Sequence, residues 1–255
     1  MSLKLAFGGK GGVGKTTITA LIARSIAALN KDTSVIAIDA DPVANLAAAL
    51  GIDETRPITP VAELSDLIAE RTGAKPGTMG GFFTLNPKVD DIPDRFSLEK
   101  DGVKLLVMGT VQQGGSGCIC PESTLLRALM LHIVLSRDEV VVMDMEAGIE
   151  HLGRATASAV DKLIVVVEPG RRSMDTAGHI KKLASEIGLK NIVLVGNKIR
   201  GEKDEEFLKK HLSDFEFLGF IRQDEALIEA DLDGVSPYDV DSIAKTNVKE
   251  MIAKL

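Results

Sequence analysis

The stretch Gly9-Lys10-Gly11-Gly12-Val13-Gly14-Lys15-Thr16-Thr17 stands between an apolar run at residues 3–7 and a segment at residues 18–29 with helical periodicity. A strand, a glycine-rich loop and a helix in this order are the setting in which such a sequence binds phosphate. Glycines are needed because backbone N–H groups must converge on one anion, and side chains would block that approach. The alternative is a glycine-rich turn that only joins a strand to a helix, and the flanking elements favour a nucleotide site.

The end of this loop carries the side chains that handle phosphate and metal. Lys15 would reach the β- and γ-phosphates, and the Thr16 hydroxyl would bind Mg²⁺. The helix that begins here adds its unpaired N–H groups and the positive end of its dipole. We therefore expect the remaining loop residues to contact ATP as well: Gly9, Gly11, Gly12, Val13, Gly14 and Thr17.

Lys10 is a second lysine, which the general phosphate-loop pattern does not require. With it, residues 10–17 resemble the deviant Walker A loop of the family that contains the Min and Par ATPases, the nitrogenase iron protein and several metal-insertion ATPases. In that family the first lysine crosses a dimer interface and contacts the partner's phosphates, so that it supplies charge to the transition state. The resemblance implies an ATP-dependent homodimer in which Lys10 is catalytic. Taken alone, Lys10 would be an ordinary solvated lysine.

The composition is that of a globular protein, with 45% hydrophobic and 26% charged residues. A chain of 255 residues is long enough for one α/β domain, which we expect to span residues 1–255. Trp is absent, there is one Tyr, and the net charge is −7, all of which argue against a nucleic-acid surface. No apolar run reaches the roughly 18 residues of a membrane span, and no signal peptide is recognisable. We expect a cytoplasmic protein that binds neither nucleic acid nor membrane.

Two further apolar runs end in carboxylates. Residues 34–39 indicate a buried parallel strand that ends at Asp39, and residues 140–144 indicate another that ends at Asp144. The carboxyl ends of parallel strands are where open α/β sheets bind ligands, so both side chains are expected to hold Mg²⁺ through water. Gly148 would donate its N–H to the γ-phosphate. These patterns predict a mostly parallel, twisted sheet flanked by helices.

Asp41 begins the loop after the first of these strands. In the resembling family, the second Asp of Asp-x-Asp-Pro is the carboxylate that hydrolysis needs, which implies that Asp41 orients the attacking water. The alternative is that Asp41 only caps a following helix with Pro42 at its first position. We expect both roles. A short helix at residues 45–50, closed by Gly51, is also predicted.

Cys118 and Cys120 are the two cysteines of the chain, and a helix is predicted from Pro121 to about residue 136. The positive end of the helix dipole favours the thiolate form, which is the form that binds metal. In an extended segment, residues i and i+2 point the same way, so one Cys-x-Cys offers two sulfurs to one ion. A second copy would complete a four-sulfur site for Zn²⁺ or Ni²⁺. The alternative is a pair of small, buried, inert cysteines.

One group within this family is indicated by residues 144–154, which read Asp-Met-Glu-Ala-Gly-Ile-Glu-His-Leu-Gly-Arg. Together with the upstream Cys-x-Cys, it resembles the nickel-insertion ATPases that serve carbon monoxide dehydrogenase, the CooC type. This second resemblance covers most of the chain. It implies a dimeric metallochaperone with carbon monoxide dehydrogenase as its client.

Asn197 lies in a strand predicted at residues 191–198. Its amide can both donate and accept, as an adenine edge requires, and in the resembling family this Asn reads the base. The alternative is an Asn in a turn. Residues 219–224 match the family's base-flanking segment, which implies that Arg222 and Gln223 lie beside the base, although Arg222 stands where Pro is usual.

Residues 52–102 are predicted to be an irregular insertion without chemistry, packed on the sheet or at an interface, with helical periodicity only at residues 61–71. Two other functions compete with the metallochaperone. A positioning ATPase that binds DNA or membrane would need a basic patch or tail and has no use for Cys-x-Cys. An iron–sulfur ATPase like the nitrogenase iron protein needs two cysteines that are far apart in sequence. None of the four histidines is spaced from the cysteines, or from another histidine, in the way that a shared metal site requires.

Overall fold

One eight-stranded sheet runs through the computed structural model, which describes residues 2–29, 33–52, 58–76, 82–109, 120–146 and 154–255. The strands are β1 (Lys4–Gly8), β2 (Val35–Ala40), β3 (Leu98–Lys100), β4 (Val103–Val107), β5 (Val140–Met145), β6 (Lys162–Val167), β7 (Ile192–Ile199) and β8 (Glu216–Arg222). Their order is β3-β4-β2-β5-β1-β6-β7-β8, and every neighbouring pair is parallel except β3 with β4. The predicted mostly parallel sheet is confirmed.

Ten α-helices lie in the described part of the chain. They are α1 (Lys15–Leu29), α2 (Leu46–Leu50), α3 (Ser65–Thr72), α4 (Ile92–Phe96), α5 (Pro121–Ser136), α6 (Arg154–Ala157), α7 (Arg171–Ile187), α8 (Glu202–His211), α9 (Glu225–Leu232) and α10 (Ile243–Ile252). Helices α1, α2 and α10 pack on one face of the sheet, and α3, α5, α7 and α8 pack on the other.

The central strands are apolar on both faces because helices cover both faces. In β1, Leu5 and Phe7 point into the cluster with α1, whereas Ala6 points into the cluster with α5 and α7. All three side chains are fully buried, and each large one contributes roughly 1.5–3 kcal/mol by its burial. The result is a rigid platform whose carboxyl edge carries the loops after β1, β2 and β5.

Helix α2 begins at Leu46, and this start corrects the prediction that Asp41 caps a helix with Pro42 at its first position. Asp41 instead accepts the Val43 N–H through Oδ1 at 2.9 Å, within a loop. The Leu46 N–H at the start of α2 donates to Asp39 Oδ2 at 2.9 Å, so the carboxylate at the strand end serves the helix.

The far end of α2 is fastened to other parts of the fold. Arg24 of α1 donates to the Leu50 carbonyl at 2.7 Å, and the Ser236 hydroxyl donates to the Ala49 carbonyl at 2.7 Å. Gly51 ends the helix with a φ of +73°, as predicted, and its carbonyl accepts from Lys100. The last carbonyls of α2 therefore have donors from three different segments.

The segment 52–102 packs on the sheet, as predicted, because Val61, Ile68 and Ile92 join the core on the α5 side. Its described residues are less irregular than expected, since they form a 3₁₀ turn at Val61–Glu63, the helices α3 and α4 and the antiparallel strand β3. Helix α10 begins at Ile243, where the Ser242 hydroxyl accepts the Ala244 N–H and caps the helix.

Candidate functional site: the phosphate loop and its carboxylates

The loop between β1 and α1 has the backbone of a phosphate cradle. Gly9, Gly12 and Gly14 have φ values of +141°, +79° and +92°, which side chains rarely allow. A Cβ on Gly9 would lie 2.4 Å from the Val166 carbonyl oxygen, and one on Gly14 would lie 2.4 Å from Asn197 Nδ2. Gly9, Gly12 and Gly14 are therefore required by backbone conformation, and Gly9 and Gly14 also by close packing, whereas a Cβ on Gly11 would meet no atom within 4 Å.

Helix α1 begins at Lys15, three residues earlier than the sequence predicts. The Ile18 N–H makes the first helical hydrogen bond, to the Gly14 carbonyl at 3.1 Å. The N–H groups that precede it, including those of Thr16 and Thr17, have no intrahelical acceptor and remain available to an anion.

Lys15 is a buried cation, with 7% of its surface exposed. No carboxylate lies within ion-pair distance of it in the described part of the chain, and its positive charge acts on Asp144 from further away. A buried ammonium without a close counter-ion is costly, and a triphosphate would remove that cost. This arrangement fits the predicted role of Lys15.

Asp39 and Asp144 are register partners on β2 and β5, and both are buried. Burial raises the pKa of Asp39 to about 6, against the hydrogen bonds from the N–H groups of Leu46 and Asp41. Burial raises the pKa of Asp144 to about 7, against a hydrogen bond from Thr16, and the charge of Asp39 raises it further. Both carboxylates are therefore costly to ionise in the nucleotide-free fold, although the charge of Lys15 lowers that cost for Asp144.

These residues fit a magnesium ion. Asp144 Oδ1 is buried and has no hydrogen-bond partner among the described residues, and the Thr16 hydroxyl lies within hydrogen-bond reach of the same carboxylate. Hydroxyl and carboxylate oxygens are the hard donors that Mg²⁺ prefers. Thr16, Asp39 and Asp144 would hold it, and the bound ion would offset the charge of the phosphates.

Asp41 stands one residue beyond β2, at the carboxyl edge of the sheet. Its N–H donates to Asp39 Oδ1 at 3.1 Å, which ties its backbone to the carboxylate pair. The neighbouring Val43 is 66% exposed. The loop therefore presents Asp41 beside the phosphate site, where a water-orienting carboxylate is expected.

Lys10 is 37% exposed, and its ammonium lies 3.7 Å from Glu168 Oε1. Glu168 directly follows β6 and also accepts from Lys198, at 3.1 Å. Sequence reasoning assigned no role to Glu168 or to the side chain of Lys198. The Asn-Lys pair at the end of a predicted strand was the only signal for the latter.

Asn197 lies within β7 and is 8% exposed, so the turn alternative is wrong. Its Nδ2 donates to the Val13 carbonyl at 2.7 Å, which places the side chain against the phosphate loop. Arg222 ends β8 and pairs with Glu205 at 3.1 Å, and the Gln223 N–H donates to the Ile199 carbonyl at 3.0 Å. The predicted adenine contacts of these three residues stay predictions.

Cys120 is the N-cap of α5, as the sequence predicts for the start of that helix. Its Sγ accepts the Ser123 N–H at 3.5 Å and lies 3.2 Å from Ser123 Oγ. Cys118 and Gly148 lie outside the described residues. Among those described, no three His, Cys, Asp or Glu side chains come together as a metal site within one protomer.

This arrangement of loop, helix and paired carboxylates on a parallel sheet is that of a P-loop nucleotide-binding protein. The family described as the CobQ/CobB/MinD/ParA nucleotide binding domain matches residues 4–238, and the chain belongs to it. Its curated relatives include proteins named for ATP binding. The chain is accordingly an ATPase of this family, as the phosphate loop predicts.

Two relatives match almost the whole chain. One is the carbon monoxide dehydrogenase accessory protein CooC of Rhodospirillum rubrum, 46% identical over 255 residues, with 99% of this chain and 96% of that protein covered. The other is an uncharacterized ATP-binding protein of Methanocaldococcus jannaschii, 45% identical over 252 residues, with 98% and 96% covered. The resemblance to the CooC type, inferred from the sequence, is confirmed.

Solved structures share the fold. A ParA family ATPase from Chlorobium tepidum superposes with a TM-score of 0.71 at 19% identity, over 98% of each chain. The MinD cell division protein of Aquifex aeolicus superposes with a TM-score of 0.69 at 22% identity, over 99% of this chain and 96% of that one. In the described residues, no helix has the length and apolar character needed to cross a membrane.

Proposed function

We propose that the protein is an ATP-hydrolysing dimeric metallochaperone that carries Ni²⁺ or Zn²⁺ and assists nickel insertion into carbon monoxide dehydrogenase. The position of Cys120 at the N-cap of α5 carries this proposal. Helix α5 leads into β5, whose Asp144 belongs to the phosphate site, so one core helix connects the cysteine to the nucleotide. The similarity to CooC of Rhodospirillum rubrum supports the choice of client.

The first step is closure of two protomers on their triphosphates. Lys15 and the N–H groups at the start of α1 hold the phosphates of their own protomer. Lys10 leaves Glu168 and contacts the phosphates of the partner, where its charge stabilises the transition state. Because the Lys10–Glu168 pair is partly exposed and 3.7 Å long, it is weak and easily exchanged for a phosphate.

Hydrolysis then uses Asp41. Its carboxylate orients a water whose oxygen attacks the γ-phosphorus, while the bond to the β–γ bridging oxygen breaks and ADP leaves. The water protons end on inorganic phosphate and solvent. The tie between the Asp41 N–H and Asp39 keeps this carboxylate close to the residues that would hold Mg²⁺.

The metal cargo would lie between the protomers. One Cys-x-Cys offers two sulfurs, and a tetrahedral site needs four, so Cys118 and Cys120 of two protomers would share one ion. Closure on ATP assembles the four sulfurs, and relaxation after hydrolysis releases the ion to the client.

Metal stoichiometry tests the proposal. With a non-hydrolysable ATP analogue, we expect one Ni²⁺ per two chains and a dimer in solution, and weaker binding with ADP. The Cys118→Ser/Cys120→Ser variant should lose the metal and keep ADP binding, and a Ser136→Ala variant at the far end of α5 serves as the matched control. Stoichiometric Ni²⁺ binding by the double cysteine variant would refute the site. A monomer with saturating ATP analogue and metal would refute the coupling.

A positioning ATPase that binds DNA or membrane is the second candidate, because the solved structures that share the fold include ParA and MinD proteins. It leaves the Cys-x-Cys unexplained. A mobility-shift assay and a vesicle sedimentation assay, each with and without ATP, separate the two, since the metallochaperone should bind neither DNA nor lipid. An iron–sulfur ATPase is tested by the absorption spectrum of anaerobically purified protein, in which a brown chromophore would favour it.

A further inference from the structure

The outer side of the phosphate loop carries carbonyl groups that need donors. When the N–H groups of a loop face an anion, carbonyls of the same loop face away, and each requires its own partner. Two consecutive carbonyls find theirs at the end of β7. Asn197 Nδ2 donates to the Val13 carbonyl at 2.7 Å, and Lys198 Nζ donates to the Gly12 carbonyl at 2.7 Å. The loop therefore rests on two neighbouring residues of one strand.

Neighbouring residues of a regular strand point to opposite faces, so both can reach the same loop only if the backbone departs from strand geometry. Lys198 does so with a φ of +57°, and the register between β7 and β8 shifts between Gly196 and Ile199. This left-handed conformation is unfavourable for a residue with a Cβ. Such conformations persist where the surroundings enforce them, and they concentrate at functional sites.

Glu168 orients the lysine. Its Oε2 lies 3.1 Å from Lys198 Nζ, and its own N–H donates to Ser173 Oγ at 3.0 Å. Because Val167 and Gly196 are register partners on β6 and β7, Glu168 follows directly beside the end of β7. An ion pair this exposed contributes little by itself, so the geometry, which directs the ammonium at the Gly12 carbonyl, matters more than the charge.

We propose that Lys198 is a positioning residue of the ATPase site. Its left-handed backbone and its contact with Glu168 direct the ammonium at the Gly12 carbonyl. This hydrogen bond keeps the loop N–H groups oriented toward the phosphate-binding position before nucleotide binds. A preformed loop needs less ordering when the ligand arrives, which raises affinity. This inference concerns nucleotide binding by a single protomer and requires neither the dimer nor the cysteine metal site.

The experiment compares ADP affinity and stability in Lys198→Asn. Asn tolerates a left-handed backbone but is too short to replace the ammonium, so the fold should keep its melting temperature. We expect the Kd for ADP to rise about tenfold, the effect of losing one charged hydrogen bond that orders the loop. KM for ATP should rise in parallel, whereas kcat at saturation should stay within about twofold.

Two further variants complete the test. Lys203→Asn makes the same charge change on the exposed start of α8 and should leave the Kd for ADP unchanged. In the double variant Lys198→Asn/Glu168→Gln, affinity should be no weaker than in Lys198→Asn alone, because Glu168 acts through the lysine.

An unchanged Kd in Lys198→Asn with an unchanged melting temperature would overturn the proposal and make Lys198 a surface residue at a strand end. A double variant that binds ADP more weakly than Lys198→Asn alone would also contradict it. Should Lys198→Asn unfold, Lys198→Gly relieves the backbone completely, and normal ADP affinity in that variant would overturn the proposal equally.

Discussion

Asp39 and Asp144 stand side by side as register partners on β2 and β5, and neither carboxylate is exposed by more than 1%. The pKa is raised to about 6 for Asp39 and to about 7 for Asp144, chiefly because burial disfavours the ionised form. Burying two neighbouring carboxylates is a cost to the nucleotide-free fold. Binding of Mg²⁺ would remove this cost, because the ion and Lys15 would together neutralise the carboxylates and the phosphates. The free energy recovered would add to the affinity for Mg²⁺ and nucleotide.

Asp144→Asn should stabilise the nucleotide-free protein at pH 8 by about 2 kcal/mol, because it removes a buried charge. In the wild type, the pKa of Asp144 is 3.8 in the unfolded chain and about 7 in the folded protein. Protonated Asp144 therefore adds to the free energy of unfolding at low pH, and this contribution is lost as the pH rises from 3.8 through about 7. The variant should therefore show a smaller gain between pH 8 and pH 5. Urea unfolding at both values measures this, with exposed Asp233→Asn as the control. A variant less stable than wild type at pH 8 would contradict the prediction.

Mg²⁺ should bind to the nucleotide complex about tenfold more weakly at pH 6 than at pH 8, because protons compete for the same carboxylates. The pKa values of about 6 for Asp39 and about 7 for Asp144 place this window. Titration of Mg²⁺ into the protein with saturating ADP, after chelation with EDTA, measures it. A pH-independent affinity would show that the pair does not face the ion.

Gly14→Ala should destabilise the protein by roughly 1–3 kcal/mol and abolish ADP binding, since the φ of +92° and the 2.4 Å approach to Asn197 Nδ2 both exclude a Cβ. Gly11→Ala is the matched control for stability in the same loop, because its Cβ would meet no atom within 4 Å. Thermal unfolding and calorimetric titration compare the two. Equal stability of both variants would contradict the argument.

Asp41→Asn should lower kcat for ATP about 100-fold and leave ADP affinity nearly unchanged. An Asn can still accept the Val43 N–H, so the loop should keep its conformation while the carboxylate charge is lost. Steady-state phosphate release measures kcat, and Asp233→Asn serves again as the exposed control. Normal turnover would remove Asp41 from the proposed chemistry.

Lys10→Met should keep ADP affinity within about threefold, because within one protomer the ammonium pairs with Glu168. The proposed dimer predicts that this variant stays monomeric with an ATP analogue and hydrolyses ATP at least about 100-fold more slowly. Light scattering and phosphate release measure both. A normal ATP-dependent dimer with normal turnover would show that Lys10 does not act across an interface.

Most of the sheet could be predicted because its strands are continuous apolar runs, and the phosphate loop could be predicted because its glycines are a local requirement. Asp39 and Asp144 follow from the same logic, since each ends such a run. The helix predicted at residues 45–50 is confirmed to within one residue, but the cap expected from Asp41 is wrong, because the Leu46 N–H donates to the Asp39 carboxylate instead. A local rule for caps does not include a side chain seven residues earlier.

The contacts of Asn197, Lys198 and Glu168 lay outside sequence reasoning for a different reason. They join β6 and β7 to the phosphate loop, and the contacts of Asn197 and Lys198 with the loop span 184 and 186 residues of the chain. The left-handed backbone of Lys198 has no signal of its own, because lysine rarely adopts it. Strand β3 was missed since only three residues form it, on the antiparallel edge.

Helix α2 is anchored at one end by Asp39 and at the other by Arg24 and Ser236, as described for the fold. The segment that carries Asp41 therefore lies between two anchored points, Asp39 at the end of β2 and Leu46 at the start of α2. We expect any movement that the γ-phosphate causes at Asp41 to be confined to residues 41–45 and to reach the surface at Val43, which is 66% exposed.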